Sequence, residues 1–188
     1  VRWLDVRRHS LTKKGAARGR GSHLSADGIT LARFIGSEAG PYERVVTSSS
    51  PRAVETAVAM GFAVDDTMEM PSGYVSEEIP RHAQWGWTDP YRRLAGIIQE
   101  GRAAAAVAET LRVIWVDTVG DVAEDRSALL VGHGGAIELA LVACFPDASH
   151  DSWGTPFAHC DGARLGFADG HFVSIEFHRA PQSPVPPS

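Results

Sequence analysis

Apolar residues along the chain fall in two rhythms, consecutive runs and spacings of three and four, and their exchange predicts strands alternating with helices. Trp3-Leu4-Asp5-Val6 reads as a short strand, and the basic, glycine-rich segment Lys13–Ser22 after it as a loop. Ser25 is placed to cap a helix, with Leu24 before it as a staple and Ile29, Ala32, Phe34 and Ile35 on its apolar side. Gly40-Pro41 ends that helix. Val45-Val46-Thr47 predicts a buried strand. Ser50 and Pro51 then open a second helix that runs to Met60, with Gly61 closing it. Phe62–Met70 holds a further strand, and Pro71–Pro90 is irregular and rich in aromatic residues. Leu94, Ile98, Val107, Leu111 and Ile114 carry a helical pattern that Gly101 breaks or bends. Ala128–Val131 is the continuous apolar run of a central parallel strand, and Ile137–Phe145 is an apolar helix. Ala163–Phe167 and Phe172–Phe177 flank Asp169-Gly170, a strong hairpin signal. The expected fold is a three-layer α/β sandwich: a mostly parallel central sheet, helices on both faces and a C-terminal antiparallel hairpin. Residues 1–179 are expected to form one domain, with 71–125 as an insert over the site and 180–188 as a disordered proline-rich tail.

Composition narrows the function classes. Of the 188 residues 44% are apolar and 22% charged, enough to build a core. A net charge of −5 argues against nucleic acid and anionic membranes as partners. No apolar run approaches the ~20 residues of a membrane span, and the start does not read as a signal peptide, so a cytoplasmic location is expected. Cys144 and Cys160 make neither a CxxC motif nor a disulfide framework. The charge is uneven, however. Arg2, Arg7, Arg8, Lys13, Lys14, Arg18 and Arg20 crowd the first twenty positions against one acid, Asp5. Such a loop can concentrate a small anion while the whole molecule repels polyanions, although a solvated charge run explains it equally well.

The chemistry-bearing residues stand where strands end. Arg8-His9 follows the first strand. Ser48-Ser49-Ser50-Pro51-Arg52-Ala53 joins a strand to a helix, with Thr56 one turn on. Gly132-His133-Gly134-Gly135 follows the most apolar strand. Parallel strands bring all of these to one edge of a sheet, where open α/β folds bind ligands. There is no GxSxG, HExxH or GxxxxGK[ST], which removes the esterase, zinc protease and P-loop readings.

Arg8-His9, Leu24-Ser25-x-x-Gly28, Ser50-Pro51-Arg52-Ala53-x-x-Thr56-Ala57 and Gly132-His133-Gly134-Gly135 resemble, in order and spacing, the motifs of the histidine phosphatases, the superfamily that includes phosphoglycerate mutase. The resemblance runs from Trp3 to about Phe145. It implies His9 as a phosphate-accepting nucleophile, Arg8, Arg52 and His133 as ligands of the phosphoryl group, and no metal or other cofactor. The residue types suit those roles: two planar guanidinium forks and an imidazole surround a phosphoryl group with donors. A leaving-group acid is also needed. In the superfamily it commonly follows the strand after the second arginine, which points to Glu77 or Glu78. Glu78 is preferred on spacing, and Ile79-Pro80 after it stiffens the loop.

Two departures matter. Ser10 stands where glycine is usual, adding a hydroxyl beside the nucleophile. The mutase branch continues with Gly-Glu and a Trp-Asn pair, whereas this chain continues Ser10-Leu11-Thr12-Lys13-Lys14, which argues against mutase activity. The segment Pro71–Gly120 in turn argues against the short phosphohistidine phosphatases. The expected activity is metal-independent hydrolysis of a small phosphomonoester. A mutase-type phosphotransferase, or a module that binds phosphorylated ligands without cleaving them, stands as the alternative. Ser10, Lys13, Lys14, His23 and Gly134 are further candidates for substrate contact. Trp85, Trp87 and His82 either line the pocket or anchor the insert. His159, His171 and His178 are expected at the surface or in packing roles.

Overall fold

The protein, as a computed structural model describing residues 1–14 and 22–181, forms a six-stranded sheet with helices on both faces. In chain order the elements are β1 (Arg2–Arg8), α1 (Ala26–Gly36), β2 (Arg44–Ser48), α2 (Pro51–Ala59), β3 (Asp66–Met68), α3 (Pro90–Gln99), α4 (Ala103–Gly120), β4 (Ser127–Gly132), α5 (Ala136–Cys144), β5 (Gly162–Ala168) and β6 (His171–His178). Short 3-10 turns lie at His82–Gln84 and His150–Trp153. The sheet runs β3-β2-β4-β1-β5-β6; the first four strands are parallel, and β5 and β6 return antiparallel on the β1 side. This is the architecture that the alternation of apolar patterns predicts.

Side chains on a strand alternate between the two faces, so one strand feeds two cores. Ala128 and Leu130 of β4 join Leu4 and Val6 of β1 under α3, α4 and α5, while Leu129 and Val131 face α1 and α2 with Val45. All six residues of β4 are buried, as its unbroken apolar run requires. Asp5 and Arg7 are the buried polar exceptions on β1. Asp5 accepts from the Tyr42 hydroxyl at 2.7 Å and from Arg164 at 3.0 Å, and Arg7 donates to the Cys160 carbonyl at 2.6 Å.

The local signals explain most element ends. The Ser25 hydroxyl accepts from the Gly28 N–H at 3.0 Å and caps α1, and Pro51 opens α2. At Gly101 the backbone takes φ +70°, which separates α3 from α4, so the helical pattern resolves into two helices rather than one bent helix. Asp169 and Gly170 take φ +52° and +80°, the pair of positive values that a tight hairpin turn needs. The strand expected over Phe62–Met70 is only three residues long, because the polar Asp65 and Asp66 sit at the sheet edge and the Asp65 carboxylate accepts from the Val45 N–H at 2.7 Å. Order continues past position 179: the buried Ala180 donates its N–H to Asp161 at 2.8 Å. The rest of the expected tail, 182–188, and Arg18 and Arg20 of the basic loop lie outside the described residues. Among the described residues no helix is long and apolar enough to cross a membrane.

Candidate active site

Strand register brings the three sequence junctions together. Arg8 pairs with Gly132 and Thr47 with Val131, so β1, β4 and β2 end level, and His9, His133 and Ser48, the last residue of β2, stand at the same edge. The His9 N–H donates to the Gly132 carbonyl at 2.9 Å. A cavity of about 340 Å³ opens there, lined by Arg8, His9, Arg52, His133 and Gly134 together with Met70, Pro71, Ser72 and Gly73.

His9 is buried, and its Nδ1 lies 2.8 Å from the Ser10 carbonyl oxygen. A carbonyl only accepts, so Nδ1 carries the hydrogen and the lone pair sits on Nε2. Burial, reinforced by the charges of His133, Arg8 and Arg52, pushes the His9 pKa down to about 2 despite the opposing bond to Ser10. The ring is therefore a neutral imidazole at ordinary pH. Its turn is pinned to α2, because the Ser10 N–H donates to the Thr56 hydroxyl at 2.9 Å and that hydroxyl donates to the Arg52 carbonyl at 2.7 Å.

His133 faces His9 with ring centres 5.3 Å apart. Its Nδ1 accepts from Arg52 Nε at 3.4 Å, and its Nε2 bonds the Ser48 hydroxyl at 2.6 Å. Burial and then the neighbouring arginine charges lower its pKa to about 4. Arg8 donates to the Phe157 carbonyl at 2.6 Å, while its Nε is buried with no hydrogen-bond partner among the described residues. Burial also lowers the pKa of Arg8 and of Arg52. The arrangement sets two guanidiniums and two imidazoles around one hollow beside the start of α2, donors of the kind an anion would take. Among the described residues no group of three or more His, Cys, Asp or Glu is placed to hold a metal ion.

Several expected contacts lie elsewhere. Glu78 is not at the cavity. Its two carboxylate oxygens accept from the N–H groups of Ala103 and Ala104, at 3.1 and 2.9 Å, so it caps α4, whose own N-cap residue Arg102 offers no oxygen. Glu77 is exposed at the tip of a tight turn, with φ +66°, between the paired Val75 and Ile79. Ser10 is fully buried and its hydroxyl donates into α1, to the Gly28 carbonyl at 2.7 Å. Lys13 and Lys14 are exposed and do not line the cavity, and His23 is bound to Glu55 at 2.6 Å. Of segment 71–125 only Pro71–Gly73 line the cavity, and α3 and α4 pack with α5 instead. Trp85 and Trp87 stack at 4.9 Å against the core, as anchors.

One residue beside His9 and Arg8 was not expected there. His159 sits 5.4 Å from the His9 ring, with its Nε2 3.4 Å from Arg8 Nη2. Burial, then the charges of Arg8 and His82, lowers its pKa to about 4. The hairpin held the signal: Gly162 pairs with Arg7, which brings the residues just before β5 alongside Arg8 and His9.

No protein-family model and no curated protein matches the chain. Solved structures do. A mycobacterial glucosyl-3-phosphoglycerate phosphatase in complex with VO3 is similar with a TM-score of 0.67 at 21% identity, over 96% of this chain and 100% of that one. Phosphoserine phosphatase from Entamoeba histolytica, in complex with 3-phosphoglyceric acid, is similar with a TM-score of 0.65 at 17% identity, over 96% and 98%. YhfR of Bacillus stearothermophilus gives 0.58 at 18%, over 91% and 94%. The chain shares its fold with these structures.

Proposed function

We propose that the protein is a phosphohydrolase that cleaves small phosphomonoesters through a phosphohistidine on His9, without a metal. The observation that carries this reading is the state of His9. Its Nδ1–H is committed to the Ser10 carbonyl, which leaves a lone pair on Nε2 in a cavity shared with Arg8, Arg52 and His133. Arg8 and Arg52 hold the phosphoryl oxygens, and His133 adds a donor once a phosphate competes for it with Ser48. His9 Nε2 attacks phosphorus in line, the ester oxygen departs, and water then releases phosphate from the phosphohistidine. The depressed pKa of His9 suits the role, because the nucleophile needs no prior deprotonation at neutral pH. A cavity of about 340 Å³ fits a small phosphorylated metabolite, and one structural neighbour is solved with 3-phosphoglyceric acid.

Hydrolysis of p-nitrophenyl phosphate, with and without EDTA, tests the reading. Turnover that survives the chelator and is inhibited competitively by vanadate is the expected result. No turnover, or turnover that EDTA abolishes and a divalent ion restores, overturns it.

A further inference from the structure

Beside the phosphate cradle lies an imidazole–carboxylate pair that the scheme above does not use. Glu138 is the third residue of α5, and its side chain is wholly buried. One of its oxygens accepts from the Gly135 N–H at 2.6 Å; the other accepts from the Phe157 N–H at 2.8 Å and meets His82 Nε2 at 2.8 Å. Burial works to raise the Glu138 pKa, but the His82 contact and the backbone donors together outweigh it and hold the group below the usual carboxylate range. The carboxylate is therefore ionised and accepts only, so the hydrogen between the two residues belongs to His82 Nε2. That commitment leaves Nδ1 as the nitrogen free to gain or lose a proton. When both nitrogens are protonated, the buried charge of Glu138 neutralises the ring in place.

The position of Nδ1 gives the pair a use. It makes no hydrogen bond among the described residues, and the His82 side chain keeps 17% of its surface exposed. The ring lies against Gly134, part of the cavity lining: a Cβ at Gly134 would stand 2.9 Å from His82 Nδ1 and Cε1 and 3.0 Å from Arg8 Nε. Only a residue without a Cβ lets that imidazole and that guanidinium close on the same spot of the wall. Glu78, the acid expected from spacing, spends both oxygens on α4.

From this geometry we infer that His82 is the leaving-group acid of the site and Glu138 its positioning residue. The inference rests on the phosphohydrolase reading. In the first step the bond from His9 Nε2 to phosphorus forms and the bond from phosphorus to the ester oxygen breaks. The bonding pair stays on that oxygen, which takes the proton from His82 Nδ1. In the second step a water oxygen attacks phosphorus, His9 Nε2 leaves with its pair, and His82 Nδ1 takes the water proton, which restores the starting state. Glu138 touches no substrate. It fixes the tautomer and balances the charge.

The test compares His82→Gln with the wild-type chain on p-nitrophenyl phosphate, whose leaving group needs little protonation, and on glycerol 2-phosphate, whose alkoxide needs it. Glutamine keeps a donor for Glu138 but carries no transferable proton. The expected result is a loss of about 10²–10⁴-fold in kcat on the alkyl ester and less than about tenfold on the aryl ester. Glu138→Gln should show the same selective fall in kcat with KM little changed. Should His82→Gln prove unstable, His82→Ala with imidazole in solution gives the same contrast, and imidazole should restore alkyl-ester turnover. Equal losses on both esters, or no loss on the alkyl ester, overturn the inference and leave the phosphohydrolase reading standing. A wild-type chain inert towards p-nitrophenyl phosphate overturns that reading and this inference with it.

Discussion

The cavity has a floor carried on strands and a wall carried on turns. His9 and His133 follow β1 and β4 directly, and Arg52 stands in the first turn of α2, so the main chain of three packed elements places them. The wall is Met70–Gly73, the start of an irregular stretch that runs to Trp87. It is held by a tight turn at Val75–Ile79, a 3-10 turn at His82–Gln84, two stacked tryptophans and a backbone contact of Gly73 with Gly135. On the proposed phosphohydrolase reading the floor supplies the groups that would bind and attack phosphate, which any phosphomonoester needs. On the same reading the wall would meet the rest of the substrate, and as a loop it can change without disturbing the sheet.

Acid should separate the two regions most. His9, His133 and His159 have pKa values of about 2, 4 and 4 in the folded chain, against 6.5 as the ordinary value. The unfolded chain binds those protons more readily, so the stability linked to the neutral rings is present above the ordinary value of 6.5 and is lost as the pH falls below it, through 4 for His133 and His159 and on towards 2 for His9. Urea midpoints measured from pH 7.5 to 4.5 should fall steadily, and His9→Asn should flatten the slope. A midpoint that does not move contradicts the burial of neutral imidazoles in the floor. Arg52→Ala comes next, removing one phosphate fork and with it about 10²–10³-fold of kcat/KM on alkyl and aryl esters alike. A loss confined to one ester would move Arg52 from the floor's task to the wall's.

Breaking the wall should leave the other signature. A Cβ at Gly73 would lie 2.1 Å from the Gly135 carbonyl carbon, backbone against backbone, so Gly73→Ala must push the loop off α5. Overpacking of this kind costs about 1–3 kcal/mol, read as a lower urea midpoint, and alkyl-ester turnover should suffer more than aryl. Unchanged stability would mean that the wall is not held by this contact. The smallest effect is expected from Glu78→Gln, which weakens the cap of α4 at a cost of about 1 kcal/mol and leaves the ratio of alkyl to aryl turnover alone. A shift in that ratio would return Glu78 to the chemistry.

The same division explains what could be read from the chain before its fold. Arg8, His9, Arg52, His133 and Gly134 were legible because a strand end or a helix start fixes each one locally, and parallel pairing does the rest. Glu78 was misleading because its partner is remote: α4 begins at Ala103 with no capping oxygen of its own, a need that nothing near Glu78 announces. Ser10 likewise bonds a carbonyl on α1 that the residues around it do not reveal. Glu138 did leave a trace, as the single acid in the apolar run Ile137–Phe145, although its partner His82 stands 56 positions away. Pairings of that kind come from packing, not from spacing.

The central claim is the nucleophile. Mixing the protein with a phosphorus-labelled aryl phosphate and quenching in alkaline denaturant within milliseconds should leave label on the chain, stable to base and lost in acid, as a phosphohistidine is. The label should map to His9 and be absent from His9→Ala, which should also lose turnover. Steady turnover with no label on the protein, or normal turnover by His9→Ala, would contradict the account.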